Sequence, residues 1–239
     1  MQWVDDGIVL GARSYGESSV ILELFTRHHG RHLGLVRGGR SRRQQPVIQP
    51  GNTVHATWSA RLDEHLGAYA IEASASRAAR LMESREGVAG ITLLAALARL
   101  MPERETHEGL YEAIELIADA LPEVSVAAPL LVRFELEVLR LLGFGVDLSE
   151  CASSGATEDL VYVSPKSGRA VSRAAGEPWK DRLLPLPAFL RGETGIGPGD
   201  VAAGFRLTGY FLARHVFEPR GVPMPDAREV FLRFVAPPV

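Results

Sequence analysis

The hydrophobic period of this chain changes near residue 77, from two to three or four. Period two belongs to strands that bury one face, and a period of three to four belongs to helices. Before the change, Ile8, Leu10 and Ala12 alternate with Val9, Gly11 and Arg13, and Tyr15 to Ser18 reads as a turn. Val20, Leu22 and Leu24 then alternate with Ile21, Glu23 and Phe25, and His29-Gly30 leads into Leu33, Leu35 and Arg37. Two further runs follow, Val54, Ala56, Trp58 and Tyr69, Ile71, Ala73, joined by a polar connection at Arg61 to Glu64. Five short antiparallel strands in under 80 residues predict a small closed barrel, because closure removes exposed strand edges. An OB-fold is the first expectation and an SH3-like barrel the second.

After the change, helices are expected over 77–101, stopped by Pro102, and over 106–121, stopped by Pro122, with Leu110, Ile114 and Ile117 on one face. Residues 129–142 are apolar nearly all round, the signature of a helix at the centre of a bundle, and Gly143 and Gly145 end it. Helical patterns return at 198–217 and 227–235. Between them, 162–172 reads as a β-hairpin with a Pro/Gly turn, preceded by Cys151. The expected class is α+β: a five-stranded OB-fold barrel at 1–80, then a mostly helical domain at 81–239 with a hairpin insertion around 151–175.

One cysteine in 239 residues excludes an intrachain disulfide and an all-cysteine metal cage. The start is acidic where a secretory signal would be basic, and no apolar run is long enough to span a bilayer, so a cytoplasmic protein with no membrane contact is expected. Motifs for phosphate-binding loops, dinucleotides, zinc peptidases and serine hydrolases are absent, which argues against an enzyme. His28, His29 and His32 cluster, but neighbours on a strand point to opposite faces, so no metal and no cofactor are expected. Cys151 lacks a nearby histidine and reads as structural.

The sharpest functional signal is Arg37-Gly38-Gly39-Arg40-Ser41-Arg42-Arg43. Four arginines and a glycine pair, with no apolar residue among them, imply a loop that projects positive charge into water. Guanidinium groups fit phosphate oxygens, so Arg37, Arg40, Arg42 and Arg43 are candidate nucleic-acid contacts, with Arg13, Arg31 and Arg61 as weaker ones. Because the chain has 24 arginines and 2 lysines, arginine is also its default cation on any solvated turn. The distribution favours a contact: the net charge is −3 overall, but +3 over 1–80 and −6 over 81–239. Of the barrel aromatics, Phe25, Trp58 and Tyr69 read as core, whereas Tyr15, at a turn, reads as surface. The competing reading is a protein-binding OB-fold adaptor whose arginines are incidental.

Several segments in this order resemble the RecO family of bacterial recombination mediators: Gly7-Ile8-Val9-Leu10 with Tyr15-Gly16-Glu17-Ser18-Ser19, then Leu33-Gly34-Leu35-Val36-Arg37-Gly38-Gly39-Arg40. Arg133-Phe134-Glu135-Leu136 and Leu141-Leu142-Gly143-Phe144-Gly145-Val146-Asp147-Leu148 continue the likeness. The resemblance implies binding of single- and double-stranded DNA, annealing of complementary strands, a complex with RecR, contact with the acidic tail of single-strand binding protein, and help in loading RecA, without covalent chemistry. It also implies that the helical domain takes the tail, with Arg133 holding its carboxylate and Arg140 as a second candidate. The alternative is that these arginines pair with Glu135 or Glu137, or snorkel to solvent. One departure stands out. Many family members hold zinc with two Cys-x-x-Cys pairs around the hairpin. Here the pairs read Cys151-x-x-Ser154 and Ser172-x-x-Ala175, so the hairpin is a degenerate zinc type. Packing through Tyr162, Val163 and Val171 is expected to hold it instead.

Overall fold

A computed structural model of the protein describes residues 1–235. The first five strands, β1 (Gln2–Tyr15), β2 (Ser19–Thr26), β3 (Gly30–Val36), β4 (Thr53–Ser59) and β5 (Ala68–Ala75), form a closed barrel in the order β1-β2-β3-β5-β4. This is the expected OB-type barrel. β1 begins earlier than its alternation implies because it serves two neighbours. Residues 2–8 pair with β4, and residues from Gly7 to Tyr15 pair with β2. A bulge between Val9 and Gly11 bends the strand from one partner towards the other. Parallel pairing of Leu35 with Ala68 closes the ring. Val9, Val20, Leu22, Leu24, Val36, Val54, Ala56 and Trp58 fill the interior, and the Trp58 indole donates to the Leu66 carbonyl at 3.0 Å.

The helical stretch expected over 77–101 is two helices, α1 (Ala78–Met82) and α2 (Arg85–Ala98). Ser84 breaks it: its hydroxyl caps α2 by accepting the Gly87 N–H at 3.0 Å. α3 (Glu108–Ala120) follows, and α2 and α3 both pack on β1. The chain accordingly divides into compact units after Val124, beyond the change of period near residue 77, because α2 and α3 pack with the barrel.

The second unit centres on α4 (Val124–Leu141), which starts five residues before Pro129 and carries that proline inside it. β6 (Leu160–Val163) and β7 (Ala170–Ser172) form the expected hairpin, and a two-residue strand, β8 (Leu184–Pro185), extends it to a three-stranded sheet. Val163 and Val171 are buried, and Tyr162 is half-buried. A single helical turn, α5 (Arg173–Gly176), follows β7. α6 (Asp200–Leu212) runs into a π-helical turn at Ala213–Phe217, then the short α7 (Glu218–Arg220) and finally α8 (Asp226–Val235).

The donor set at the hairpin does not fit zinc. Cys151 is buried, and its sulfur accepts the Ser172 N–H at 3.3 Å. Burial raises its thiol pKa, but hydrogen bonds from Ser154, Ser172 and the Ser153 backbone outweigh burial and hold it down to about 6. Serine hydroxyls thus occupy the sulfur's surroundings where further thiolates would bind a metal. His28 and His29 lie in a turn and do not point apart, as they would on a strand. Both Nδ1 atoms meet the buried Asp5 carboxylate, at 2.9 and 3.0 Å, while His32 turns inward to the Tyr69 hydroxyl at 3.2 Å. Among the described residues, no three His, Cys, Asp or Glu side chains are disposed to hold a metal ion, and no helix is long and apolar enough to cross a membrane.

Candidate nucleic-acid interface

The arginine segment leaves β3 at its end, where the β1–β2 turn also lies, since Val20 pairs with Val36 and Tyr15 with Ser19. Gly38 takes φ +67°, a conformation that costs other residues about 1 kcal/mol or more. Gly39 is required for a different reason: a Cβ there would sit 2.5 Å from Val20 Cγ2. The glycine pair therefore lays the segment onto the barrel before the arginines emerge.

The segment is a run of hydrogen-bonded turns from Gly38 to Ile48, not a free loop. Ile48 is buried in the barrel core. Asn52, the only asparagine in the chain, fastens the far end. Its amide donates to the Pro46 and Val47 carbonyls at 2.8 and 3.2 Å, and its Oδ1 accepts the Arg77 and Ala78 N–H groups at 2.8 and 2.9 Å. One buried side chain thereby joins the arginine segment to the start of α1. Composition alone gave Asn52 no role. Its position between a Pro-Gly turn and a strand was the only available hint.

The seven candidate arginines of the barrel sort into two groups. Arg40 and Arg31 are held by the protein. The Arg40 N–H donates to Ser18 O at 3.0 Å and its Nη1 to Glu17 O at 2.9 Å, clamping the segment to the β1–β2 turn. Arg31 reaches Glu23 at 2.8 Å, the Met101 carbonyl at 3.0 Å and Glu103 at 3.5 Å. Arg13, Arg37, Arg42, Arg43 and Arg61 are exposed and, among the described residues, their side chains make no hydrogen bond or ion pair. Arg13 is on β1, two residues before the turn that Arg40 clamps. Arg61 is on the β4–β5 connection, which is tied to β3 because Leu35 N–H donates to Gly67 O at 3.0 Å, two residues before Arg37. Arg37 also lines a groove of about 470 Å³ with Val36, Gln44, Ser59, Ala68 and Tyr69. One strand and two connections of the barrel thus carry unpaired guanidinium groups close to the end of β3.

In the helical unit, Arg133 pairs with neither Glu135 nor Glu137. Its Nη2 donates to the Phe189 carbonyl at 2.8 Å, and its guanidinium lies 5.8 Å from the Phe189 ring centre. Arg140 does pair with Glu137, at 2.6 Å, on the exposed side of α4. Glu135 is fully buried and is met by Arg228 of α8, a partner 93 residues away that no local pattern indicates.

Comparison with known proteins agrees with this architecture. The family described as the N-terminal part of recombination protein O matches residues 1–76, and its C-terminal counterpart matches residues 82–222. The DNA repair protein RecO of Bradyrhizobium sp. (strain ORS 278) is 58% identical over 238 residues, covering 98% of this chain and 96% of that protein. A second Bradyrhizobium protein of the same name (strain BTAi1) is 60% identical over the same shares. The one from Mesorhizobium japonicum is 58% identical over 97% of this chain and 92% of its own length. With two family matches that together span most of the sequence, and relatives of this identity along nearly all of it, the chain belongs to the RecO family of DNA repair proteins.

Proposed function

We propose that this protein binds DNA through the arginines around β3 and acts in recombinational repair without catalysing covalent chemistry. On this reading it anneals complementary strands and helps RecA load on DNA coated with single-strand binding protein, in the cytoplasm. RecR and the acidic tail of single-strand binding protein are its protein partners. The observation that carries the proposal is the set of five guanidinium groups left without partners among the described residues, on a barrel that ties its other arginines down. Unpaired like charges held together are unfavourable until an anion relieves them, and a polyphosphate backbone does so while releasing its own counterions. Gel-shift titration with single-stranded DNA at two salt concentrations tests it. Binding that weakens steeply with salt is expected, and salt-independent binding or none would favour the adaptor reading.

A further inference from the structure

Beyond phosphate contact, the outward face of β1–β3 carries a feature that speaks to bases. Val20, Leu22, Leu24 and Val36 point into the barrel core, so their neighbours in β2 and β3 face outward. Strand pairing sets these outward residues in rows. Gly11, Glu23 and Leu33 form one row, and Arg13, Ile21 and Leu35 the next. Tyr15 and Ser19 begin a third, towards which β3 continues to Arg37. The face is about 10 Å across, two strand spacings.

Its ends differ in character. At the first row, Glu23 is bound by Arg31 at 2.8 Å and Arg99 at 2.7 Å, Arg31 also reaches Glu103 at 3.5 Å, and Glu23, Arg99 and Glu103 line a groove of about 450 Å³ together with Arg13 and Leu33. Arg31 and Arg99 are spent on carboxylates there, and this limits the surface. At the other end Tyr15 is 55% exposed, beside the turn that Arg40 clamps, with Arg13 two residues away on its own face. An exposed aromatic on a hydrogen-bonded turn, flanked by unpaired cations and half-buried Leu35, is not explained by packing.

We propose that this face receives unpaired bases of single-stranded nucleic acid, with Tyr15 as the stacking residue and Arg40 as the positioning residue that holds its turn. The proposal rests on the nucleic-acid reading above and deepens it. Arg13, Arg37, Arg42 and Arg43 contact phosphates of either single or double strands, while only an unpaired base offers its flat face to Tyr15. The preference for single strands therefore comes from one ring, and the salt dependence comes from the arginines.

Three ligands of equal charge separate these roles: a thymidine oligonucleotide, an abasic oligonucleotide of the same length, and a blunt duplex. Base–aromatic stacking is worth about 1–3 kcal/mol, so Tyr15→Ala should weaken binding of the thymidine strand about 5- to 150-fold. Binding of the abasic strand and the duplex should stay within about twofold of the parent, and Tyr15→Phe should retain parental affinity for all three. If Tyr15→Ala binds the thymidine strand as the parent does, or weakens all three ligands alike, the stacking role is overturned while the arginine site stands. If the parent binds none of the three at low salt, the nucleic-acid reading fails and this proposal fails with it.

Discussion

Glu135 and Arg228 meet inside the helical unit, with Arg228 Nε 2.8 Å from Glu135 Oε1 and Nη2 3.0 Å from Oε2. The carboxylate is fully buried, and Thr208 adds a hydroxyl donor from α6. Arg228 Nη2 also donates to the Phe205 carbonyl at 2.6 Å. A bidentate pair whose carboxylate also accepts from Thr208 and whose Nη2 also donates to the Phe205 carbonyl fixes how α4, α6 and α8 fit together. Removing one member strands the other in an apolar interior. Arg228→Leu is expected to cost about 3–5 kcal/mol, and adding Glu135→Leu should recover a large part of that loss. Denaturant titrations of the two variants check this. A double variant as unstable as the single one would show that the pair contributes more than mutual compensation.

Replacing Arg37, Arg42 and Arg43 by glutamine removes three unpaired charges from the barrel. The slope of log affinity against log salt should flatten by roughly 2–3 units, with single-stranded DNA at the lower end. Affinity should fall for all sequences alike, since phosphates carry no sequence. Arg40→Gln should act differently, by loosening the β1–β2 turn, and so should weaken single-strand binding more than duplex binding. An unchanged slope in a folded triple variant would remove these arginines from the interface.

The barrel should lose stability in mild acid because of His32. Burial, assisted by the nearby Arg104, lowers its pKa to about 4 from the usual 6.5. The folded state disfavours the protonated ring, so the full contribution is present above pH 6.5 and is lost as the pH falls towards 4. The loss integrates to roughly 3 kcal/mol. Urea midpoints at pH 7 and pH 5 should therefore differ, and imidazole proton resonances should show His32 still neutral at pH 5. Titration of His32 near 6.5 would contradict this.

Protein purified without chelator should contain far less than one zinc per chain, since Cys151 faces serine hydroxyls and backbone N–H groups and no other thiol exists. Elemental analysis decides it, and one equivalent of zinc would mean that histidines or carboxylates complete a site.

Arg133→Glu should weaken binding of a peptide with the acidic, apolar-ended tail of single-strand binding protein, while affinity for bare DNA stays unchanged. Arg133 already spends one donor on Phe189 O, which holds its fork in place and leaves other donors for a carboxylate. A folded Arg133→Glu protein with parental peptide affinity would place the tail elsewhere.

The strands and most helices were legible because periodicity is a local property. Val20, Leu22 and Leu24 announce a buried face wherever the strand lies, and Pro102 and Pro122 stop helices by their own chemistry. The arginine segment was legible for the same reason, as charge density in sequence. Which of its members are free was not. Arg37 and Arg40 look alike in sequence, and only the pairing of β2 with β1 and β3 brings the Ser18 and Glu17 carbonyls to Arg40.

Sequence alone thus determined the period of each element, the segregation of positive charge into the first 80 residues and the presence of a single thiol. Tertiary structure decided the partners. Asn52 joining two segments, Arg228 finding Glu135, and Arg99 spent on Glu23 each depend on groups far apart in the chain. A hydrogen bond acts over about 3 Å, so its partner is set by where the backbone returns and not by the residues beside it.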